Sequence, residues 1–455
     1  MKLLLSAMCL MVLAVCETSA QEQVIDNTPD SIAKALMNRP DPGSTRQGSN
    51  PVLFLIGNST MRNGTMGNGS NGQWGWGYYA SQYFDKRKIT VENQALGGMS
   101  TRTFYTDLWP AIREVLQPGD WVIVSIGHND TADYFDQKRA RGVIPGVDPD
   151  TMVVGFNERK QCNDTVYSYG NYLRRYICEI RAKGANPILM SLTPRNAYDE
   201  QGKIIRKPQT GWASYVAATE GVPFVDLNEL SGAKLDSYSM WKRNYHFYTD
   251  KIHTSKFGAE LNARSAAEGI FYSHDPQLKP LQTMMQGVKP ATCQVERQAG
   301  KPVVFSTGDP IVKNLGNPAK ITWVDAAVTG QSMRSYIREG RWERVYNSLQ
   351  RGDFVLIQLG NNDFGDITDE SRRACINSLE DTCHVYLMPS GDYELVYSFG
   401  WYLKKMADDA YEKGAIPILC RNDSNGSPQF TILYPLLQPA FYQIVDGDYF
   451  SCLIK

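Results

Sequence analysis

Residues 119–130 read Gly-Asp-Trp-Val-Ile-Val-Ser-Ile-Gly-His-Asn-Asp, a short apolar run that enters a glycine-led polar loop. The run has the length and β-branched composition of a buried strand. Other apolar runs alternate with helical patterns on both sides of it. We predict strands at 51–56, 88–93, 121–126, 187–192 and 223–226. We predict helices at 75–84, 108–116, 166–183, 209–218 and 257–269, with a long loop before the third helix. This alternation indicates parallel strands with helical crossovers, hence a three-layer α/β/α sandwich with a parallel five-stranded sheet.

The chain contains an internal repeat. Residues 119–130 return at 352–363 as Gly-Asp-Phe-Val-Leu-Ile-Gln-Leu-Gly-Asn-Asn-Asp, and four such blocks keep one order along the chain. The repeat favours two modules over the three that the length alone suggests. We predict a complete module at 51–272, a linker at 273–300 and an incomplete second copy at 301–455.

The N-terminus has the pattern of a secretory signal. Lys2 precedes a 13-residue, mostly apolar run at 3–15, and small residues end at Ala20. We predict a signal peptide at 1–20, an N-terminal segment at 21–50, and a secreted or periplasmic protein. The run is shorter than the roughly 20 residues that span a bilayer, which argues against a transmembrane segment. Lipidation of Cys16 is disfavoured because Val15 is larger than the residue that usually precedes such a cysteine.

Composition excludes several classes of protein. The 455 residues are 42% hydrophobic and 21% charged, which is typical of a globular protein. Lys and Arg total 47 against 48 for Asp and Glu, and no dense basic run is present, so nucleic acid is not an expected partner. No Cys-x-x-Cys occurs, and seven of the nine cysteines follow the signal; their pairing and the oligomeric state stay open.

Polar loops follow the first three predicted strands of the first module. Ser59 follows the first strand, Gly98 the second and Asn129 the third, so all three should meet at the carboxyl edge of the sheet. Ser59 alone would also suit a turn or a helix cap. A glycine amide and an asparagine side chain are the donors that an oxyanion hole needs.

Asp250 and His253 lie three residues apart near the end of the module. On one turn, Asp250 would fix the His253 tautomer while His253 accepts a proton from a serine. The alternatives are a helix N-terminus capped at Thr254 or Ser255, and a metal site made of His246, Asp250 and His253. The mixed spacing argues against the metal site.

Four motifs together resemble the SGNH (GDSL-type) hydrolases, which have a flavodoxin-like fold. They are Gly-Asn-Ser-Thr-Met at 57–61, Gly-Gly-Met-Ser-Thr-Arg-Thr-Phe at 97–104, Gly-His-Asn-Asp at 127–130 and Asp-Lys-Ile-His-Thr-Ser at 250–255. More narrowly, they are similar to the rhamnogalacturonan acetylesterase branch. Asn58 departs from the family, which usually has aspartate there.

The resemblance implies a role for each matching residue. Ser59 would be the nucleophile, His253 the general base and Asp250 the group that orients it. The oxyanion hole would be formed by the Ser59 and Gly98 amides with the Asn129 side chain. The implied reaction removes acetyl groups from a pectic polysaccharide and needs no metal or cofactor.

Two other functions remain open. One is a different SGNH esterase, either a xylan or oligosaccharide deacetylase or a lipase-like enzyme. The other is a carbohydrate-binding protein without catalysis. Because a galacturonate-rich substrate is anionic, we expect cationic and aromatic side chains around Ser59. The candidates are Arg62, Arg102, Trp241 and Tyr245.

The second copy lacks the catalytic residue types. Aligning Gly57 with Gly308 puts Pro310 opposite Ser59, and only His384 follows residue 300. The segment between Gly308 and Gly330 is too short for the first helix. Residues after Asn425 lose the resemblance, so we expect this half to be incomplete and poorly packed at its C-terminal end.

Overall fold

A computed structural model describes residues 39–64, 67, 69, 71–312, 319–358, 361–390, 393–422, 428–434 and 443–446. The first sheet has five strands: β1 (Val52–Gly57), β2 (Thr90–Asn93), β3 (Trp121–Ser125), β6 (Asn186–Met190) and β7 (Phe224–Val225). They lie in the order β2-β1-β3-β6-β7, and every neighbouring pair is parallel. The predicted parallel five-stranded sheet is confirmed.

Helices cover both faces of this sheet. They are α1 (Trp76–Tyr79), α2 (Thr101–Asp107), α3 (Trp109–Val115), α4 (Tyr169–Ala182), α5 (Pro208–Glu220), α6 (Leu227–Asp236), α7 (Met240–Tyr245), α8 (Lys256–Phe271) and α9 (Lys279–Gln282). Successive residues of β1 point to opposite faces. Phe54 therefore packs with the side chains of α2 to α5, whereas Leu53 and Leu55 pack with α1 and α8.

Several segments differ from their sequence-based predictions. Helices α2, α6 and α7 were not predicted, and the predicted helix at 75–84 consists of the one-turn α1 and a 3₁₀ turn at Ala80–Tyr83. The predicted long loop contains an antiparallel hairpin of β4 (Met152–Asn157) and β5 (Cys162–Tyr167). Met152, Val153 and Val154 are successive apolar residues and all three are exposed, so β4 lacks the alternation of buried and exposed positions that marks a strand. The predicted linker is packed, because Leu278, Leu281 and Val288 are buried against the first sheet.

A second sheet lies in the C-terminal half. Its strands are β8 (Val303–Gly308), β9 (Thr322–Asp325), β10 (Phe354–Gln358), β13 (Ile416–Asn422), β14 (Pro428–Tyr434) and β15 (Gln443–Asp446), in the order β15-β14-β13-β10-β8-β9. A separate hairpin joins β11 (Cys383–Leu387) to β12 (Tyr393–Tyr397), and the helices are α10 (Met333–Arg338), α11 (Arg341–Ser348) and α12 (Phe399–Glu412).

The second sheet matches the first at four strands and then departs. Strands β9-β8-β10-β13 are parallel and have the same order as β2-β1-β3-β6. At the next position, antiparallel β14 and β15 lie where the first sheet has parallel β7. Between β8 and β9 the described residues form no helix. The predicted poor packing concerns a C-terminal end that lies largely outside the described residues.

Individual contacts recur in the two halves. Ser100 caps α2 with a capping box, and Ser332 does the same for α10. Asp130 accepts from the backbone N–H of Thr101 at 2.9 Å, and Asp363 accepts from the N–H of Met333 at 2.9 Å. In each half, an aspartate in the loop after the third sheet strand therefore accepts a hydrogen bond from the helix that follows the second sheet strand, counted in chain order.

The two halves share an aromatic core. Tyr245 of α7 and Phe257 of α8 pack against Trp401 of α12, with ring centroids 4.9 and 5.3 Å apart. Trp401 also stacks on Tyr397 at 3.7 Å. Tyr245 belongs to the same buried cluster as the core of the second half, so the halves meet as one hydrophobic interior.

A buried ionic group reinforces this contact. Lys242 Nζ of α7 forms an ion pair with Asp409 Oδ1 of α12 at 2.8 Å, and Lys405 Nζ donates to Asp409 Oδ2 at 2.8 Å. The side chains of Lys242 and Asp409 are 5% and 4% exposed. Asp409 is the shared counterion of two lysines. Its loss would leave Lys405 without this partner and Lys242 with Glu412 alone.

The predicted signal peptide lies outside the described residues. Among the described helices, none has the length and apolar character to cross a bilayer. Six cysteines of the described part carry free thiols: Cys162, Cys178, Cys293, Cys375, Cys383 and Cys420.

We predict that Trp401→Ala lowers the free energy of unfolding of the full chain by about 3–5 kcal/mol, because a large buried ring leaves a cavity. Urea unfolding followed by circular dichroism measures it, and both halves should unfold in one transition. Tyr272→Ala, at a ring that is 56% exposed, is the control and should change it by less than about 0.5 kcal/mol. Two separate wild-type transitions would contradict a shared core.

Candidate active site

Ser59, His253 and Asp250 form a continuous hydrogen-bonded chain. Ser59 follows β1, and its Oγ lies 2.9 Å from His253 Nε2. His253 Nδ1 lies 2.5 Å from Asp250 Oδ2. Since an ionised carboxylate only accepts, the Nδ1 atom carries a proton and Nε2 is free to accept the Ser59 hydrogen. The structure thus brings together three residues that the sequence separates by up to 194 positions.

Asp250 is held by its own turn. Its Oδ1 atom accepts from the backbone N–H groups of Ile252 at 2.7 Å and His253 at 2.6 Å. Partial burial alone would raise the pKa of Asp250, but the hydrogen bonds and charge of His253 outweigh it and hold that pKa at about 2. Asp250 therefore remains an anion at any ordinary pH.

The loop that carries His253 is fixed by backbone hydrogen bonds. Tyr248 N donates to His253 O at 2.9 Å, and Trp74 N donates to Thr254 O at 3.0 Å. Ser255 caps α8 through Gly258 N. The helix-cap interpretation and the catalytic interpretation thus both apply, because the cap lies two residues after His253.

Ser59 and Gly98 offer unused backbone donors. In the part of the chain that the structure describes, neither amide N–H has a protein acceptor. Leu96 N donates to Gly57 O at 3.2 Å, which holds the Gly98 turn beside the Ser59 turn. Gly98 has φ +78°, a left-handed conformation that favours glycine.

The side chain of Asn129 is oriented by a backbone carbonyl of the neighbouring loop. Its Nδ2 atom donates to Met99 O at 3.0 Å, and because an amide nitrogen carries two hydrogens, one remains for a ligand. The next residue, Asp130, also accepts from Thr101 Oγ1 at 2.6 Å. These bonds lock the loops after β2 and β3 together.

Asn58 is fully buried beneath the site. Its Oδ1 atom accepts from Thr60 N at 3.2 Å and from Thr60 Oγ1 at 3.0 Å. Its Nδ2 atom has no partner among the described residues. The amide therefore keeps the hydrogen bonds that a carboxylate would accept, without the charge.

The predicted substrate-contact arginines have structural roles. Arg62 is buried and donates to Ala95 O at 3.3 Å. Arg102 is 1% exposed, donates to Tyr134 O and pairs with Asp164 of the hairpin at 2.5 Å. Both guanidinium groups bind neighbouring loops, and their contact with a substrate stays a prediction.

The predicted aromatic contacts lie at the junction of the two halves. Trp241 donates from Nε1 to Asp381 at 3.2 Å, and Lys404 Nζ lies 3.2 Å from the centre of its ring. Tyr245 is buried against Trp401. The sequence could not show this, because their partners belong to the second half, about 140 to 160 positions away.

Two arginines near the site were not predicted from the sequence. Arg141 donates to Gly98 O at 3.0 Å and so supports the turn that presents the Gly98 amide. Arg195 donates to His128 O at 3.0 Å. Both lie in irregular segments without a motif, and only the strand-end position of Arg195 after β6 could have indicated it.

The alternative metal site does not assemble. Among the described residues, no group of three or more His, Cys, Asp or Glu side chains could hold a metal ion. His246 Nδ1 is instead 2.9 Å from Lys242 O, and burial lowers the pKa of His246 to about 3.

Comparison with known proteins agrees with this geometry. Residues 53–266 match the GDSL-like lipase/acylhydrolase family. A Bacillus subtilis protein named probable rhamnogalacturonan acetylesterase YesY is 30% identical over 228 residues, which cover 48% of this chain and 91% of that protein. The rhamnogalacturonan acetylesterase of Emericella nidulans is 28% identical over 224 residues, 49% of this chain and 85% of that one.

A solved structure overlaps with about half of the chain. The crystal structure of the Bacillus subtilis protein YxiM overlaps with a TM-score of 0.38 at 25% identity, covering 49% of this chain and 56% of that one. With a 30% identical relative matched over nine-tenths of its length, the chain belongs to the GDSL-like lipase/acylhydrolase family and is a carboxylic ester hydrolase.

Proposed function

We propose that this protein is an exported carbohydrate esterase that removes O-acetyl groups from rhamnogalacturonan. The observation that carries the proposal is the Ser59–His253–Asp250 chain at 2.9 and 2.5 Å. The backbone donors of Ser59 and Gly98 and the second hydrogen of Asn129 Nδ2 accompany it. The pectic substrate is supported by the names of the relatives, two of which are called rhamnogalacturonan acetylesterases or probable ones.

The first half-reaction is acyl transfer to the serine. Ser59 Oγ attacks the acetyl carbonyl carbon while His253 Nε2 takes its proton. Negative charge develops on the carbonyl oxygen and is stabilised by the Ser59 and Gly98 amides and the Asn129 side chain. The ester C–O bond then breaks, His253 protonates the departing sugar hydroxyl, and acetyl-Ser59 remains.

The second half-reaction reverses these roles with water. His253 takes a proton from water, the hydroxide attacks the acetyl-serine carbonyl, and Ser59 leaves with the proton from His253. Acetate is released. Asp250 stays ionised throughout and stabilises the imidazolium in both halves.

The C-terminal half supports the role given to Gly98 and Asn129. At the positions related by the repeat, Gly330 N and Asn362 Nδ2 donate to the two oxygens of Asp309, at 3.0 and 2.8 Å. A carboxylate therefore occupies the place where the first half would hold an oxyanion. We interpret the C-terminal half as a non-catalytic copy of the first, since Pro310 follows this carboxylate where the first half has Ser59.

We predict that Ser59→Ala abolishes acetate release from acetylated rhamnogalacturonan and prevents labelling by a serine-reactive phosphonate. The reason is that the variant lacks the attacking oxygen. Ser81→Ala, at an exposed serine outside the site, is the matched control and should retain full activity.

Acetylated xylan and a neutral aryl acetate complete this assay. Ser59-dependent release of acetate from xylan alone would support the acyl-transfer mechanism, but it would show that the substrate is xylan and not rhamnogalacturonan. Absence of release and of labelling would contradict catalysis and favour a carbohydrate-binding protein.

We predict that Asp250→Asn lowers kcat by about 10³–10⁴ with little change in KM, because an amide no longer stabilises the imidazolium or the required tautomer. Because the pKa of Asp250 is held at about 2, its titration should contribute no step to the wild-type pH profile above about pH 4. Steady-state kinetics on aryl acetate from pH 4 to 9 test both statements. A tenfold or smaller loss in kcat would contradict the role given to Asp250.

A further inference from the structure

The loop after β6 brings two cations to the edge of the sheet that carries Ser59. Arg195 and Lys207 lie near the two ends of the segment between β6 and α5, and both side chains are half-buried. Because β6 is the neighbour of β3, this segment lies beside the loop that holds Asn129. Both cations therefore lie at the carboxyl edge of the parallel sheet, where ligands bind in such folds.

Arg195 is held between two loops of the site. Its guanidinium donates to His128 O at 3.0 Å and to His128 Nδ1 at 3.4 Å. The following residue, Asn196, donates from its backbone to Lys251 O at 2.8 Å, next to Asp250. Arg195 therefore has a defined position beside the catalytic chain rather than a free surface position.

His128 adds no charge to this cluster. A guanidinium only donates, so His128 Nδ1 accepts and the ring proton lies on Nε2, 3.0 Å from Thr193 Oγ1. Burial, followed by the charges of Arg195 and Lys207, lowers the pKa of His128 well below its ordinary value. The neutral ring acts as an uncharged support for Arg195.

A catalytic carboxylate offsets one of the two cations in part: burial lowers the pKa of Arg195, and the charge of Asp250 opposes this. Among the described residues, neither Arg195 nor Lys207 forms an ion pair with a carboxylate, whereas buried Arg102 pairs with Asp164. Burial lowers the pKa of Lys207, and the charge of Arg195 lowers it further, so the two groups repel each other. Half-buried like charges that form no ion pair are unfavourable in the free protein and are stabilised by a bound anion.

We propose that Arg195 and Lys207 form a subsite that binds a uronic acid carboxylate of the acetylated polysaccharide. This subsite rests on the proposed function and adds a reason for the choice of substrate. The acetyl group would enter at Ser59 while the acidic sugar is held by two cations across the carboxyl ends of β3 and β6. A neutral polysaccharide would leave both cations without a bound anion.

The test compares Arg195→Gln and Lys207→Gln with the wild type on three substrates: acetylated rhamnogalacturonan, the same polymer with its carboxyl groups reduced to alcohols, and neutral 4-nitrophenyl acetate. Each variant should lose about tenfold in kcat/KM on the acidic polymer, the usual effect of one charge-assisted contact. On the two neutral substrates the change in kcat/KM should stay below twofold for Lys207→Gln. Arg195→Gln also removes a contact with the loop of Asn129, so it is judged by its additional loss on the acidic polymer. Lys203→Gln, an exposed lysine of the same loop, is the matched control and should behave as wild type.

Inhibition provides a measurement that does not depend on activity toward the polymer. Unacetylated trigalacturonate should inhibit hydrolysis of 4-nitrophenyl acetate competitively, and its inhibition constant should rise about tenfold in either variant. Trigalactose, the neutral control, should not inhibit. Thermal melting of each variant checks that the fold is retained.

Three outcomes would overturn the subsite. They are equal losses on all three substrates, unchanged inhibition by trigalacturonate in both variants, and equal inhibition by the neutral trisaccharide. If the wild type releases no acetate from the polymer while trigalacturonate still inhibits in an Arg195-dependent way, the proposed substrate is wrong and the carboxylate subsite stands.

Discussion

The parallel register of β1 with its two neighbours determines where every group of the site can lie. Leu55 is level with Asn93 on β2, and Gly57 is level with Ser125 on β3. Three chain segments therefore leave the sheet at one height, and the residues that follow them are necessarily close. The oxyanion donors and the nucleophile depend on this register, since a slip of one residue in β1 would shift Ser59 and move every β1 side chain to the opposite buried face.

Hydrogen bonds between loops convert this proximity into a fixed geometry. Asp130 ties the third loop to the first turn of α2, and Asn129 bonds the backbone of the second loop. Such preorganisation lets the donors act without rearrangement when charge develops on the substrate. Because the same Asp-to-helix contact recurs at Asp363 and Met333, it belongs to the architecture of the sheet edge and persists where no nucleophile is present.

The features that could be predicted from the sequence depend on residues that lie close together in the chain. The strands of the first sheet and the Asp250–His253 turn could be predicted because periodicity and a spacing of three residues are short-range signals. The ion pair of Arg102 could not be predicted, because its partner Asp164 lies in a hairpin with an exposed face. Arg195 was missed because an arginine in a long loop has no pattern, and only the strand order places it beside β3.

The common aromatic core also has a consequence for shortening the chain. Tyr245 and Phe257 pack against Trp401, so deleting the C-terminal half would expose apolar rings only a few residues away from His253. The C-terminal half, in which Pro310 takes the position of Ser59, therefore contributes to the fold of the half that contains the triad. A shortened chain that ends before this half would need polar residues in place of both rings at once.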